Sequence, residues 1–329
     1  MKFAIIGTNF VSDMFMEGAI ILDECEVVAV CSKKIENSKK FAEKYNILNV
    51  FDNYMELIKW GDFDAAYIAT PNSTHKEIAI SFLNAGKHVF CEKPMAANYD
   101  EVKEMIECAK RNGVYLHEGL VPLYSENFKI IIKNLGRVGK IRQVNINMSQ
   151  YSSRYNAYLE GKNPTTFQRE LCNGATMDLG VYTLALCIAL FGKPKKMLST
   201  SIMLDTGVDV STSSILAYDD FLVNLAYSKA NNTENKFEIC GENGILIINH
   251  PTRIQSVTFK SNSTGESEEL AVKPKPLFFY EIKEMLNCVG EGKKESDSVP
   301  LDLSLMLHRQ LTDIRMQGGI LFPADENKI

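Results

Sequence analysis

Short apolar segments alternate with helical patterns along the first 118 residues of this 329-residue chain. Lys2 to Gly7, Val27 to Val30 and Ala65 to Ala69 are mostly apolar, and a stretch with helical spacing follows each of them. Continuous apolar runs are typical of strands covered on both faces, as in a parallel sheet flanked by helices. We therefore predict an α/β domain with a doubly wound parallel sheet over residues 1–118.

The composition, with 45% hydrophobic and 23% charged residues, is that of an ordinary globular protein. The chain exceeds the usual size of a single core, so a second domain is expected over residues 119–329. The net charge of -5, with Lys and Arg spread along the chain, gives no reason to expect nucleic-acid binding, which requires clustered basic residues. The first segment is too short for a secretory signal and no later apolar run is expected to span a bilayer, so we predict a cytoplasmic protein without membrane contact.

The eight cysteines form no C-x-x-C pair, and no histidine lies near them at the spacing of metal ligands. Most of them have apolar neighbours in the sequence. We predict buried, unpaired thiols in a reducing compartment, with neither disulfides nor a metal site.

The first predicted strand ends at Gly7, and a helical pattern follows it. A glycine there permits a tight turn into a helix whose N-terminal amides can hold a pyrophosphate, as in a Rossmann dinucleotide-binding domain. The segment departs from G-x-G-x-x-G, with Asn9 at the second glycine position and Ser12 at the third. Asn tolerates left-handed backbone and Ser is small, although a purely structural turn fits these residues nearly as well. The predicted cofactor-binding residues of this loop are Gly7, Thr8, Asn9 and Phe10.

The second predicted strand, Glu26 to Cys31, leads into Ser32, Lys33 and Lys34. At this position an Asp or Glu would accept a hydrogen bond from the ribose 2'-hydroxyl of NAD. Without an acid, a 2'-phosphate can bind the Ser32 hydroxyl and be neutralised by one of the two lysines. NADP is therefore the predicted cofactor and NAD the alternative, while a solvated loop would also explain the lysines.

Two polar turns follow later strands of the predicted sheet. One is Thr70-Pro71-Asn72-Ser73-Thr74-His75, in which Ser73 or Thr74 is expected to cap the next helix, and the other is Glu92-Lys93-Pro94. In an open parallel sheet, ligands bind outside the carboxyl ends of the strands. We predict that Lys93 faces a reaction centre and that the first turn lies beside the nicotinamide, although Glu-Lys-Pro is also compatible with a solvated turn. The cofactor-binding residues predicted here are Thr70, Pro71, Asn72, His75, Glu92 and Lys93.

The pattern changes after Glu118. Between Ile141 and Gln150, apolar residues alternate with Asn and Ser, which predicts strands in a sheet with one covered and one polar face. Further strands are predicted at residues 197–203, 213–218, 222–228, 236–240, 245–249 and 256–260. We predict an α+β C-terminal domain with a large, mostly antiparallel open sheet, whose open face pairs in a homodimer or higher homo-oligomer.

Asp178 and Tyr182 stand four residues apart in an apolar helical stretch that ends near Leu190. Helical spacing places them on one face, and a carboxylate and a phenol among apolar neighbours suggest a site. A helix N-terminal acid beside a core tyrosine is an equally good interpretation of these two residues alone.

Three motifs carry a family resemblance: A-T-P-N-S-T-H at 69–75, C-E-K-P-M at 91–95 and G-A-T-M-D-L-G-V-Y at 174–182. Together they resemble the Gfo/Idh/MocA family of nicotinamide-dependent oxidoreductases, and the resemblance extends over essentially the whole chain. The family usually has a His where Tyr182 stands. A tyrosine there is similar to the glucose-fructose oxidoreductase and dimeric dihydrodiol dehydrogenase branches. The family arginine expected after Glu118 is missing, and a last helix at about 302–318 is expected to pack back on the first domain.

The resemblance implies hydride transfer between a nicotinamide cofactor and a hydroxyl or carbonyl carbon of a sugar derivative or cyclic diol. It assigns Tyr182 as acid and base, Lys93 as the cation that binds the reacting oxygen, and Asp178 as the substrate orienter. A free phenol has a pKa of about 10, so the neighbouring ammonium is expected to lower it. Lys93 as the proton donor, and a non-enzymatic cofactor sensor acting through a protein partner, are the alternatives.

Overall fold

The computed structural model of the protein describes residues 1–328. The chain divides into two compact units, Met1–Val121 with Lys275–Leu305, and Pro122–Pro274 with Met306–Ile329. The sequence predicted one division, after residue 118. In the structure, residues 275–305 also belong to the first unit, so its chain is discontinuous.

The strands and helices alternate in the first half of the chain and segregate in the second. The strands are β1 (Lys2–Ile6), β2 (Glu26–Cys31), β3 (Asn49–Phe51), β4 (Ala65–Ile68), β5 (His88–Glu92), β6 (Leu116–Gly119), β7 (Ile141–Ser149), β8 (Lys196–Met203), β9 (Asp209–Ala217), β10 (Leu222–Ser228), β11 (Lys236–Gly241), β12 (Gly244–Asn249), β13 (Ser256–Ser261) and β14 (Ser267–Glu269). The α-helices are α1 (Phe10–Ala19), α2 (Ile35–Tyr45), α3 (Tyr54–Trp60), α4 (His75–Asn84), α5 (Tyr99–Asn112), α6 (Val121–Tyr124), α7 (Glu126–Asn134), α8 (Tyr155–Leu159), α9 (Val181–Phe191), α10 (Phe279–Gly290) and α11 (Leu301–Gln317).

The first unit is built on a six-stranded parallel sheet in the order β3-β2-β1-β4-β5-β6. Successive residues of β1 enter opposite cores, Ala4 and Ile6 on one face and Phe3 and Ile5 on the other. Both faces of the sheet are covered, which is why its strands are continuously apolar. The predicted doubly wound parallel sheet is confirmed.

The second unit is built on an eight-stranded sheet in the order β14-β13-β12-β11-β7-β10-β9-β8. The β7 and β10 strands pair in parallel, and the other neighbours pair antiparallel. In β7, Val144, Ile146 and Met148 are buried and Asn145 and Asn147 half-buried, so the predicted alternation and the large, mostly antiparallel sheet are confirmed.

The helical stretch Arg169–Phe191 has the length and composition of a membrane span, contrary to the expectation from the sequence. However, 72% of its most apolar window is buried inside the protein. The stretch is therefore the core helix of the second unit, packed on the β-sheet rather than presented outward.

Candidate active site

The turn after β1 has the shape of a dinucleotide loop. Gly7 has a φ of +103°, and a Cβ there would lie 2.2 Å from the carbonyl oxygen of Ala69. Only glycine can pass this close to the end of the neighbouring strand. Within the described chain, the amides of Thr8, Asn9 and Phe10 form no hydrogen bond, so the loop presents consecutive donors where a pyrophosphate would lie.

The two missing glycines of this loop are replaced by side chains that hold the turn. The Asn9 side chain accepts hydrogen bonds from the amides of Val11 and Ser12 and donates one to the carbonyl of Ala69 at 2.8 Å. The buried Ser12 hydroxyl donates to the carbonyl of Gly7 at 2.8 Å. Asn9 is therefore the N-cap of α1 and also ties the loop to β4.

The residues predicted to read the ribose follow β2 at the same edge of the sheet. The amide of Gly7 donates to the carbonyl of Cys31 at 2.8 Å, which places the β2 end beside the loop. Ser32 is half-buried, and Lys33 and Lys34 are exposed. No carboxylate occurs in this segment.

The turns after β4 and β5 are joined by a buried histidine. The ring nitrogens of His75 lie 2.8 Å from the carbonyl oxygen of Thr70 and 3.0 Å from that of Pro94. Both nitrogens thus face the backbone, and the ring bridges the two turns. The Thr74 hydroxyl donates back to the Pro71 carbonyl at 2.7 Å and lies 2.8 Å from the Thr70 hydroxyl. No side chain caps α4, so the predicted cap is wrong.

Lys93 itself is half-buried, and a cis peptide bond joins it to Pro94. On the far side of this loop, the amide of Met95 donates to Glu118 of β6 at 3.1 Å. The loop is therefore held by His75 from one strand and by Glu118 from another, which gives the Lys93 backbone a defined position.

Glu92, the residue before Lys93, is buried in the first unit. Its Oε1 accepts a hydrogen bond from the Tyr67 hydroxyl at 2.8 Å. Burial raises the pKa of the Glu92 carboxyl to about 7, although the Tyr67 hydrogen bond and the charge of Lys93 oppose the rise. Glu281 on α10 is also buried, and burial together with the charge of Glu92 raises its pKa well above the ordinary value.

Asp178 and Tyr182 lie in the second unit, and each is distinguished by its exposure. Every residue from Ala175 to Ile188 is buried except these two, which are half-buried. Asp178 lies in a π-helical segment, Thr176–Gly180, which leads directly into α9. Segments of π-helix are rare and are frequently found at functional sites. The predicted shared helical face is thus the accessible side of an otherwise buried stretch.

The π-helical segment rests on a buried polar cluster that the sequence analysis missed. Oδ2 of Asp209 accepts hydrogen bonds from the amide of Thr176 at 2.9 Å, from its hydroxyl at 2.7 Å and from the hydroxyl of Thr212 at 2.8 Å. A Cβ on Gly180 would lie 2.6 Å from Cζ of Tyr227, so the segment packs directly on this ring. These contacts hold Asp178 and the start of α9.

Lys229 is a further residue that the sequence analysis missed. It follows β10, its side chain is 8% exposed, and its ammonium forms an ion pair with Oδ2 of Asp178. In the sequence, Lys229 is marked only by its position directly after a predicted strand, which the structure shows as β10.

No group of three or more His, Cys, Asp or Glu side chains that could hold a metal ion occurs among the described residues.

Comparison with known proteins identifies two family models and a similar dehydrogenase. Residues 1–120 match the model "Oxidoreductase family, NAD-binding Rossmann fold" and residues 132–247 match the model "GFO/IDH/MocA C-terminal domain". The chain is 40% identical over 327 residues to scyllo-inositol 2-dehydrogenase (NADP(+)) IolU of Bacillus subtilis, covering 99% of each chain.

More distant relatives extend the same similarity. The chain is 29% identical over 348 residues to trans-1,2-dihydrobenzene-1,2-diol dehydrogenase of Bos taurus, covering 99% of each chain. A 3-ketoreductase from Actinomadura kijaniata, solved with NADP and TDP-benzene, shares the fold with a TM-score of 0.86 at 20% identity, over 97% of this chain and 98% of its own. The resemblance inferred from the motifs is confirmed, and this chain belongs to the GFO/IDH/MocA family of oxidoreductases.

Proposed function

We propose that the protein is an NADP-dependent dehydrogenase that transfers a hydride between the nicotinamide and a ring carbon of a cyclic polyol. The observation that carries the proposal is the 40% identity, along 99% of both chains, to a scyllo-inositol 2-dehydrogenase (NADP(+)). The substrate class predicted from the motifs, a sugar derivative or cyclic diol, includes this compound.

When bound, the nicotinamide accepts or supplies the hydride, and the protein provides orientation and proton transfer. Tyr182 is proposed to exchange the hydroxyl proton, because its half-buried phenol is one of the two accessible groups of a buried stretch. Lys93 is proposed to bind the reacting oxygen with its ammonium, on a backbone held by His75 and Glu118. Asp178 is proposed to accept a hydrogen bond from a substrate hydroxyl.

The preference for NADP is proposed to reside in Ser32, Lys33 and Lys34. The half-buried serine hydroxyl and two exposed ammonium groups offer a hydrogen-bond donor and positive charge to a 2'-phosphate. The predicted contacts to the rest of the cofactor are those of Gly7, Thr8, Asn9, Phe10, Thr70, Pro71, Asn72, Glu92 and Lys93, whereas His75 is proposed to act by holding the turns together.

The cofactor-sensor alternative rested on the poor glycine loop and on the missing arginine after Glu118. In the structure, Asn9 and Ser12 hold the turn with their own hydrogen bonds, so the departure from the glycine pattern leaves the turn closed. The loop therefore gives no support to the sensor, and the enzymatic interpretation is supported by the 40% identity to a dehydrogenase.

The test has two steps. Trp60 and tyrosine emission is followed while the protein is titrated with NADPH and with NADH, and the oxidation of scyllo-inositol, other inositols and trans-diols is then measured with NADP. We expect tighter binding of NADPH and turnover of a cyclic polyol. Ser32→Asp places a carboxylate against the 2'-phosphate and should weaken NADPH binding about tenfold or more, with little effect on NADH. Binding without turnover of any polyol would refute the proposed function.

Assembly as a homodimer is proposed through the open face of the second unit's sheet. This face carries Leu198, Ile202, Ile215 and Leu222, with exposed fractions of 72, 66, 47 and 50%. Such a patch is typical of an interface between subunits. Sedimentation at micromolar concentration should give a dimer, and Ile202→Arg should give a monomer.

The cytoplasm is the proposed location of the protein, and its eight unpaired cysteines support this proposal.

A further inference from the structure

The buried ammonium of Lys229 forms an ion pair with Asp178, which is proposed to bind the substrate. Its side chain is 8% exposed, whereas that of its partner Asp178 is 44% exposed. A buried ammonium requires a nearby negative charge, because leaving it unpaired costs several kcal/mol in desolvation. The pair therefore has one buried member and one member that reaches the accessible side of the segment.

The backbone of Lys229 is held on both sides. Its amide donates to the carbonyl of Val210 at 2.8 Å, and its carbonyl accepts from the amide of Ser152 at 2.9 Å. Within the described chain, Asp178 is the hydrogen-bond partner of the ammonium. The direction of the Lys229 side chain is therefore defined by the strand end and by Asp178 together.

The ion pair engages one of the two oxygens of the Asp178 carboxylate. Lys229 binds Oδ2, and an ionised carboxylate offers about four lone-pair sites on its two oxygens. The backbone around Asp178 is supported independently by the hydrogen bonds of Thr176 to Asp209. Removal of Lys229 should consequently remove one defined restraint on the carboxylate without removing the segment that carries it.

We propose that Lys229 is a positioning residue that holds the Asp178 carboxylate in the orientation in which it binds a substrate hydroxyl. The inference rests on the proposed function, in which Asp178 orients a cyclic polyol. Lys229 acts through Asp178, so its effect should appear in substrate binding rather than in cofactor binding.

The test compares Lys229→Met, Lys229→Arg and Asp178→Asn with the double variant that combines Lys229→Met and Asp178→Asn. The Lys229→Met variant should raise KM for scyllo-inositol about tenfold, the scale of losing one charge-assisted hydrogen bond, with less effect on kcat. NADPH affinity should stay within about twofold of the wild type, and Lys229→Arg should restore most of the loss in KM. In the double variant, Lys229→Met should add less than about twofold to the effect of Asp178→Asn, because the two act as one unit.

Two results would overturn the inference. One is an unchanged KM in Lys229→Met, and the other is a multiplicative effect of the two substitutions. A purely structural role would instead lower NADPH affinity, kcat and thermal stability together, and Lys229→Arg would not rescue KM selectively. If Lys229→Met does not fold, Lys229→Gln, which retains hydrogen-bond donors but not the charge, gives the same comparison.

The failure of this inference and that of the proposed function are separable. If the wild-type protein oxidises no cyclic polyol, the proposed function fails whatever the variants do. If the wild type oxidises one and Lys229→Met keeps its KM, only the role of Lys229 fails.

Discussion

Replacing Glu92 by Gln should change how the stability of the first unit depends on pH. The Glu92 carboxyl is buried, and its pKa is raised from 4.5 to about 7 by that burial. The folded protein therefore holds this proton more tightly than the unfolded chain does. Stability from Glu92 is fully present below pH 4.5, declines as the pH rises to 7 and stays low above it.

The size of the loss in stability follows from the pKa shift of Glu92. Each unit of pKa corresponds to about 1.4 kcal/mol, so the shift predicts a loss of about 3 kcal/mol in the free energy of unfolding between acid and pH 8. Gln keeps an oxygen that can accept the Tyr67 hydrogen bond but does not titrate. The Glu92→Gln variant should lack this part of the decline. Glu281 contributes to both proteins, but less in the variant, because the Glu92 charge that helps to raise its pKa is removed.

Trp60, the single tryptophan, is the natural probe. It packs in the first unit, with ring centroids 5.7 Å from Phe51 and 6.3 Å from Phe63. Urea unfolding followed by its emission should show that the free energy of unfolding falls between pH 5 and pH 8 by about 2.5 kcal/mol more in the wild type than in Glu92→Gln. Glu107→Gln, which removes an exposed carboxylate of α5, is the matched control and should follow the wild type. Parallel pH curves for wild type and Glu92→Gln would refute the reasoning.

Three further predictions concern the two units. Tyr182→Phe should lower kcat by about 10² to 10⁴-fold, the range for a general acid, with NADPH binding unchanged; turnover close to that of the wild type would assign the proton to another group. Gly180→Ala should destabilise the protein by about 1–3 kcal/mol, because its Cβ would lie 2.6 Å from the Tyr227 ring. Gly290→Ala, where no atom lies within 4 Å of the added Cβ, is its control in thermal unfolding. Glu281→Met should stabilise the protein by about 1–3 kcal/mol at pH 8, because both oxygens of this buried carboxyl lack a hydrogen-bond partner in the described chain. A lower melting temperature for Glu281→Met would show that the carboxyl is satisfied by a group such as buried water.

The sequence predicted most strands because burial dictates their pattern. The first sheet is covered on both faces, and β7 on one, so continuous and alternating apolar runs identified them. The strand β14, Ser267–Glu269, was missed because all three of its residues are exposed and carry no apolar pattern. The π-helical segment was also not foreseen, since its spacing differs little from that of an α-helix over so few residues.

The residues of the candidate site also differ in whether the sequence reveals them. Lys93, Asp178 and Tyr182 are visible in the sequence because they stand in local motifs beside turns and strand ends. The residues that hold them in place cannot be found in this way, because the contacts join distant parts of the chain: Thr176 is 33 residues from Asp209, and Asp178 is 51 residues from Lys229. Such pairs depend on strand register in the second sheet, which single-sequence periodicity does not specify.

The departures from the family pattern are informative about how the site is supported. Asn9 and Ser12 replace two glycines, yet each forms a hydrogen bond that holds the same turn. Similarly, the acid that would read the ribose of NAD is absent, and a serine and two lysines stand in its place. At the first position the geometry is retained by different side chains, and at the second the charge is reversed to one that suits the proposed 2'-phosphate. A motif search based on residue identity alone therefore gives this loop too little weight as a predicted dinucleotide-binding loop. The physical criterion is whether the backbone donors and the charge that the cofactor requires are present, and at the carboxyl ends of β1 and β2 they are.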